Sequence, residues 1–531
     1  MKSILTVAAA GVLTLTPAAC GSGGSSGGTS GSQALADGKT FTMALGGDPG
    51  NLDPHFTSLS ITLAADRFLY DSLLNTDQNG GLVAGLAGKW QGTTTKATFT
   101  LRKSVTCSDG TPLTAGDVAA NINFVGDPKN ASTGVGLYVP AGAKATADDA
   151  TGMVTVTSPT PEAFLTHNLG SLRIVCRQGM KNRGLLKQGA DGTGMYKLTE
   201  AVSGDHYTLT RRKDYAWGPG DWRTGQHGLP DRVVFKIVTS ETTAANLILS
   251  RQINAVRLAG PDRQRLTAAK TFKRDVVAPL GELWFNEKAG FPGADEAVRR
   301  ALTQALDLDQ LGQVLTGGTG RPATGLVAPG MGPCDQQPIG SSLPAHDVNA
   351  ARSALDAAGW AAGPDGVRAK DGRKLAIAFY YPTTLGPAMQ AAAELVQKTW
   401  RGIGVDVSLK GVTDTETGRL IAGGQAAWSA TILPLSLSLP SQAVPFLSGP
   451  TPPKGTNLAG IKNAGYTAGV KAASAIAGTG GCDTWATAEK ALYEHVDLVP
   501  FVDSVAPIFG QGVRFELSEG SVTPSSIRML G

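Results

Sequence analysis

The stretch "WFNEKAGFPGADEAVRRALTQALDLDQLGQVL" (284–315) opens as a strand and turns into a helix. In its second half Val298, Ala301, Leu302, Ala305 and Leu306 fall on one face, the spacing that buries an apolar stripe against a sheet. Further on, "KLAIAFYYP" (374–382) and "VDVSL" (405–409) flank a helical pattern over 387–401 that Gly402 ends. Strand, helix, strand in that order is a βαβ unit. "HDVNAARSALDAAGW" (346–360) reads as a helix stopped at Gly359.

Towards the N-terminus the pattern alternates instead. "KTFTMALGG" (39–47), "MVTVTSP" (153–159) and "PDRVVFKIVTS" (230–240) read as strands, and "SGDH" (203–206) as the turn of a hairpin. "NLDPHFTSLSITLAADRFLYDSLLNTD" (51–77) reads as a loop and then a helix, with Leu63, Phe68, Leu69 and Leu73 as its main apolar residues, and Thr114 is placed to cap another. The chain is therefore α/β, with mixed sheets and more than one lobe.

The chain has 531 residues, 41% of them hydrophobic and 17% charged, with a formal charge of +4. That describes a globular protein of several domains, and no basic run suits nucleic acid. Ile4–Leu15 is a short apolar run behind Lys2, ending in the small residues Ala18 and Ala19: a secretory signal over 1–19, too short to span a bilayer. Cys20 comes directly after the cut, as in the lipobox of bacterial lipoproteins, although Pro17 stands where such boxes carry Leu. Gly21–Ser32 is Gly, Ser and Thr only, so 20–38 reads as a lipid-anchor cysteine and a flexible tether. The expected location is the outer face of the cytoplasmic membrane, reached through the anchor alone.

Cys107, Cys176, Cys334 and Cys482 remain, an even number that in an exported chain implies two disulfides with three possible pairings. The shortest gap among them is 69 positions, which does not suit a metal site. The G-x-S-x-G matches lie between Gly23 and Gly28, inside the tether, where no sheet can hold a nucleophile. "GKT" (38–40) lacks the glycine of a phosphate loop, and the six histidines form no H-x-x-x-H pair. His55 reads as a solvated loop residue. No enzyme, cofactor or metal is expected.

Seven stretches in order resemble the extracellular solute-binding proteins of the oligopeptide, dipeptide and nickel family, which serve ATP-binding-cassette importers. They are "LDP" (52–54), "FTLRKSVTCSDGTPLTAGDV" (99–118), "GTGMYKL" (192–198), "LWFNEKAGFPGADEAVRRALTQALD" (283–307), "DVNAARSALDAAGW" (347–360), "AAELVQKTWRGIGVDVSL" (392–409) and "LVPFV" (498–502). The resemblance implies a type II periplasmic-binding-protein fold with a ligand cleft between two large lobes. Lobe I would comprise 39–85, 189–275 and 488–531, lobe II the insertion 86–188, and lobe III 276–487. Gly192 and Gly194 would serve a hinge between lobes. These lobes imply the bridges Cys107–Cys176 and Cys334–Cys482, each stabilising by on the order of 4 kcal/mol in the loop-entropy model.

In relatives that take peptides, the ligand backbone pairs with protein strands on both sides. Carried over, one such strand is Ser58–Leu59–Ser60. The other lies in "WSATILPLSLSLPSQ" (428–442), where peptide binders carry an aspartate for the ligand's α-ammonium; that place falls at Ser436. No Asp or Glu occurs between Glu416 and Asp483, and Pro434 lacks an N–H. An unpaired buried ammonium costs several kcal/mol, so a free-amine peptide is disfavoured unless Asp48 or Asp66 supplies the charge. Trp284, Asn286, Tyr380, Tyr381 and Trp428, at strand ends, are the remaining candidates for ligand contact. The implied function is capture of a peptide or peptide-like ligand by a monomeric binding protein that delivers it to a membrane permease. The alternative is a sensor or enzyme on the same scaffold.

Overall fold

Two large sheets organise the protein in the computed structural model, which describes residues 34–531 except 58, 78, 79, 188, 220, 221, 223, 224, 414 and 415. The signal segment, Cys20, the Gly/Ser tether and Ser58 lie outside the described residues. Leu35–Gly531 forms one compact unit. Among the described residues no helix is long and apolar enough to cross a membrane.

The first sheet has seven strands in the order Phe272–Arg274, Ile508–Gly510, Ala255–Arg257, Thr40–Leu45, Arg232–Ile237, His206–Arg211 and Tyr196–Val202. Its central strand, Thr40–Leu45, runs parallel to both neighbours, while Tyr196–Val202 and His206–Arg211 form the antiparallel hairpin around the 203–205 turn. The start, the middle and the end of the chain all contribute to this one sheet. The second sheet has six strands, ordered Arg321–Pro322, Leu498–Val505, Val277–Phe285, Ala430–Ile432, Ala376–Pro382 and Asp406–Val412. Its last two strands run parallel and are joined by the helix Pro387–Gly402, the βαβ unit of the sequence. A four-stranded antiparallel sheet, Ala87–Gly92, Lys96–Leu101, Met153–Thr157 and Lys144–Asp148, completes the β-structure that matters here.

Local chemistry explains the helix boundaries. Asp295 caps Glu296–Gln304, and Val298, Ala301, Leu302, Ala305 and Leu306 all pack into the core of the second sheet. Thr114 and Asp117 form a reciprocal capping box at Ala115–Gly126. The helix Ser60–Leu69 is shorter than its apolar pattern: it ends before Leu73, which is nonetheless buried in the first core. The strand expected from Trp428 onward covers only Ala430–Ile432, and Leu433–Leu439 continues outside any strand.

Disulfides join Cys107 to Cys176 and Cys334 to Cys482, the pairing the resemblance implies. Gly192 and Gly194 have φ outside the left-handed region, so neither needs glycine for its conformation. Both pass close to the end of the helix Ser60–Leu69 instead. A Cβ at Gly194 would lie 2.4 Å from the Leu69 carbonyl carbon, and one at Gly192 2.4 Å from the Leu69 oxygen. Glycine is required there by close approach of two backbones.

Candidate functional site

A cavity of about 260 Å³ opens where segments far apart in sequence converge. Ser60, Leu63 and Arg67 reach it from one face of the helix Ser60–Leu69, spaced as one helical stripe. Leu137 and Tyr138 come from a loop, and His167, Asn168 and Ser171 from the helix Leu165–Ser171, with Arg173 just beyond it. Ser436–Leu439 and Gln442 form the facing wall, and Glu519 and Ser521 close one side.

The wall is an extended segment held from behind. Leu433 N–H donates to the Glu282 carbonyl at 3.0 Å, and Leu435 N–H to the Glu282 carboxylate at 2.9 Å. Trp284 Nε1 donates to the Leu433 carbonyl at 2.7 Å. At the other end Gln442 Oε1 accepts from the N–H groups of Ser438 and Leu439 at 3.0 and 3.2 Å. Leu435, Leu437 and Leu439 are buried, and the intervening Ser436 and Ser438 are more accessible. Period-two alternation thus leaves the serines more open to the cavity and buries most of each leucine. Burial pushes the Glu282 carboxyl well above the usual range, countered in part by the Leu435 N–H.

Charge in the cavity is unequal. Glu519 occupies a turn between Leu517–Ser518 and Ser521–Val522 with φ 49°, a left-handed conformation unusual for a residue with a side chain. Its carboxylate pairs with Arg67 and accepts from Thr76 Oγ1 at 2.9 Å. Burial raises its pKa, but Arg67, Arg173 and His167 outweigh that and hold the carboxyl below its ordinary value. Among the described residues the Arg173 side chain donates a single hydrogen bond, of 3.3 Å, to Ser72 Oγ. Burial lowers the pKa of His167, and its Nδ1 has no hydrogen-bond partner among the described residues. Two guanidinium groups therefore face a single carboxylate.

Of the residues expected at the ligand, Ser60 and Ser436 line this one cavity. Leu59 is 60% exposed directly before the helix and is not among the lining residues. The aromatic expectations fall elsewhere. Trp284 and Trp428 are fully buried, Trp284 bracing the wall from behind. Asn286 is buried and donates through Nδ2 to the Trp428 carbonyl at 2.8 Å. Tyr380 lies under the Lys410 ammonium, 5.1 Å from the ring centroid, and Tyr381 packs on the core of the second sheet. These five serve the sheet that carries the wall, because rings at strand ends found partners within it.

The acids weighed earlier lie outside the cavity too. Asp48 is engaged by Tyr207, Ser203, Gly50 and Gly204, and its pKa falls to about 2 although burial opposes it. Asp66 is fully buried, and burial pushes its carboxyl well up. His55 is not a solvated loop residue: it is 1% exposed and hydrogen-bonds the Arg173 carbonyl at 3.0 Å. Sequence reasoning missed Arg67, Arg173 and Glu519. Arg67 was within reach as Ser60 plus two helical turns, whereas no local pattern marks Glu519. Among the described residues no group of three or more His, Cys, Asp or Glu could hold a metal.

The comparisons with known proteins agree with one another. The model of the bacterial extracellular solute-binding proteins, family 5 Middle, matches residues 81–447. Protein XP55 of Streptomyces lividans is 27% identical over 397 residues, covering 71% of this chain and 67% of its own. The periplasmic murein peptide-binding protein MppA of Escherichia coli is 27% identical over 405 residues, with 71% of each chain covered. A substrate-binding protein from Microbacterium hydrocarbonoxydans, solved with 4-hydroxybenzoate hydrazide, superposes with a TM-score of 0.66 at 28% identity, covering 92% of this chain and all of its own. MppA in its unliganded open form gives a TM-score of 0.73 at 21% identity over 94% and 99% of the two chains. The chain has the type II binding-protein fold and belongs to family 5 of the bacterial extracellular solute-binding proteins, which are binding proteins of transporters and not enzymes.

Proposed function

We propose that this protein is the substrate-binding component of an ATP-binding-cassette importer, and that its ligand is peptide-like but lacks a free α-amine. It captures the ligand in the cavity between Ser60–Arg67 and Ser436–Leu439 and delivers it to a membrane permease. Closure of the lobes around the ligand follows from differential affinity, since a ligand that touches both walls only when they meet shifts the population towards the closed form. Export with a lipid anchor on Cys20 keeps the protein near that permease; the signal segment and Gly/Ser tether support this reading.

The observation that carries the ligand class is the charge of the cavity. Arg67 and Arg173 oppose Glu519, which is already engaged by Arg67 and Thr76, while the facing wall offers only neutral groups, the hydroxyls of Ser436 and Ser438 and the amide of Gln442. An ammonium placed there meets net positive charge and no free acceptor of opposite sign. Amide carbonyls and a carboxylate meet donors. Among relatives, MppA is named for murein peptide and OppA for oligopeptides, while the Microbacterium protein was solved with an aromatic hydrazide.

A thermal-shift panel of di- and tripeptides, free and N-acetylated, tests the reading. The acetylated members should stabilise the protein more than their free-amine counterparts. Stronger stabilisation by the free amines would contradict the assignment.

A further inference from the structure

A second cavity, of about 290 Å³, lies between the helix Ser60–Leu69 and the first sheet. It sits at the carboxyl ends of three parallel strands, Thr40–Leu45, Arg232–Ile237 and Ala255–Arg257, with Leu45, Val238 and Leu258 among its lining. Open α/β sheets leave their ligand crevices at that place. Ile61, Phe68 and Ile508 extend the apolar surface. Ser60 and Ser521 line both this cavity and the cleft, so those side chains are the boundary the two spaces share.

Protein interiors hold few voids larger than a water molecule. A void of about 150 Å³ already takes up a benzene ring, and this cavity offers about twice that room. Two charged side chains reach it. The Glu241 carboxylate is occupied, accepting from the N–H groups of Ala259 and Gly260 at 3.1 and 2.8 Å. The Arg257 side chain is exposed and has no ion-pair partner among the described residues. That guanidinium disfavours a second cation, which agrees with a ligand whose amine is blocked.

We propose that this cavity is a second compartment of the ligand site and takes an acyl chain or aromatic ring carried by the molecule bound in the cleft. The inference rests on the cleft reading above and narrows it to amphiphilic ligands, such as N-acylated or aryl-substituted amides. Burial of each methylene is worth about fourfold in affinity, so chain length is a sensitive readout.

Isothermal titration of the full-length protein with N-acetyl-dialanine and N-octanoyl-dialanine tests this. The octanoyl probe should bind more than about tenfold tighter than the acetyl probe. Ala64→Phe, which fills the cavity from a half-buried position on the helix, should erase that preference and leave acetyl-probe affinity unchanged. Ala64→Leu, a milder filling, should reduce the preference in the same direction. Equal affinity for the two probes, or a preference that survives Ala64→Phe, would overturn the second compartment while the cleft reading stands on the acetyl probe. Failure of both probes to bind would overturn both.

Discussion

In the function proposed above, ligand choice turns on two residues, Ser436 and Glu519. The first puts a hydroxyl at the place where, by resemblance, peptide binders carry an acid. The second brings a carboxylate from the far end of the chain, but spends it on Arg67 and Thr76. Glu519→Gln leaves Arg67, whose side chain is only 12% exposed, without its partner. We expect a loss of about 2 kcal/mol in urea unfolding, together with stronger binding of carboxylate-bearing probes. The absence of acids in 417–482 was legible in the sequence; Glu519 was not, because a turn hundreds of residues away carries no local sign of where it will pack. His55 makes a second residue-level prediction. Burial, aided by Arg183, lowers its pKa from 6.5 to about 4, so between those values the unfolded chain binds more protons than the folded one. Stability should therefore fall as pH drops from 6.5 to 4, by up to about 3 kcal/mol from this group. His55→Gln should flatten that part of the melting-temperature profile relative to the parent.

At the scale of elements, the cleft wall is an extended segment held from behind by Glu282 and Trp284 rather than a ladder strand. Glu282→Ala removes the acceptor of the Leu435 N–H, and amide exchange over 433–439 should quicken while exchange in Asp406–Val412 does not change. The helix Ser60–Leu69 and the backbone at Gly194 meet so closely that a methyl group cannot enter. Gly194→Ala should cost about 2 kcal/mol or more, read from denaturant midpoints. Periodic elements with long apolar stripes, such as Glu296–Gln304 and Pro387–Gly402, were legible because burial of a stripe is a local pattern. The break at Leu433 was not. Its sequence, rich in leucine, serine and proline, alternates like a strand; Pro434 lacks a ladder N–H, but nothing local shows that the Leu435 N–H turns to the Glu282 carboxylate instead of a neighbouring backbone. The aromatic strand ends lie away from the cavity for the same reason: of them Trp284 braces the wall, and the others find partners within their own sheet.

Across the whole molecule, one sheet is assembled from the beginning, middle and end of the chain, and the cavity forms where the helix Ser60–Leu69, residues 167–173 and the turn at Glu519 meet the wall segment that follows Ala430–Ile432. Two disulfides close loops of 69 and 148 residues, which the loop-entropy model values at about 4 and about 5 kcal/mol. Replacing Cys334 and Cys482 together by serine should lower the unfolding free energy by several kcal/mol and leave ligand class unchanged, since neither lines the cavity. The central claim is that a guest without a free amine binds between Ser60, Arg173 and Ser436. Crystals of protein purified gently from its own host, with its co-purified ligand identified by native mass spectrometry, test it most directly. The account predicts ligand density in that cavity, with carbonyl or carboxylate oxygens towards Arg173. Ligand density that leaves this cavity empty, or an ammonium group seated against Glu519, would contradict it.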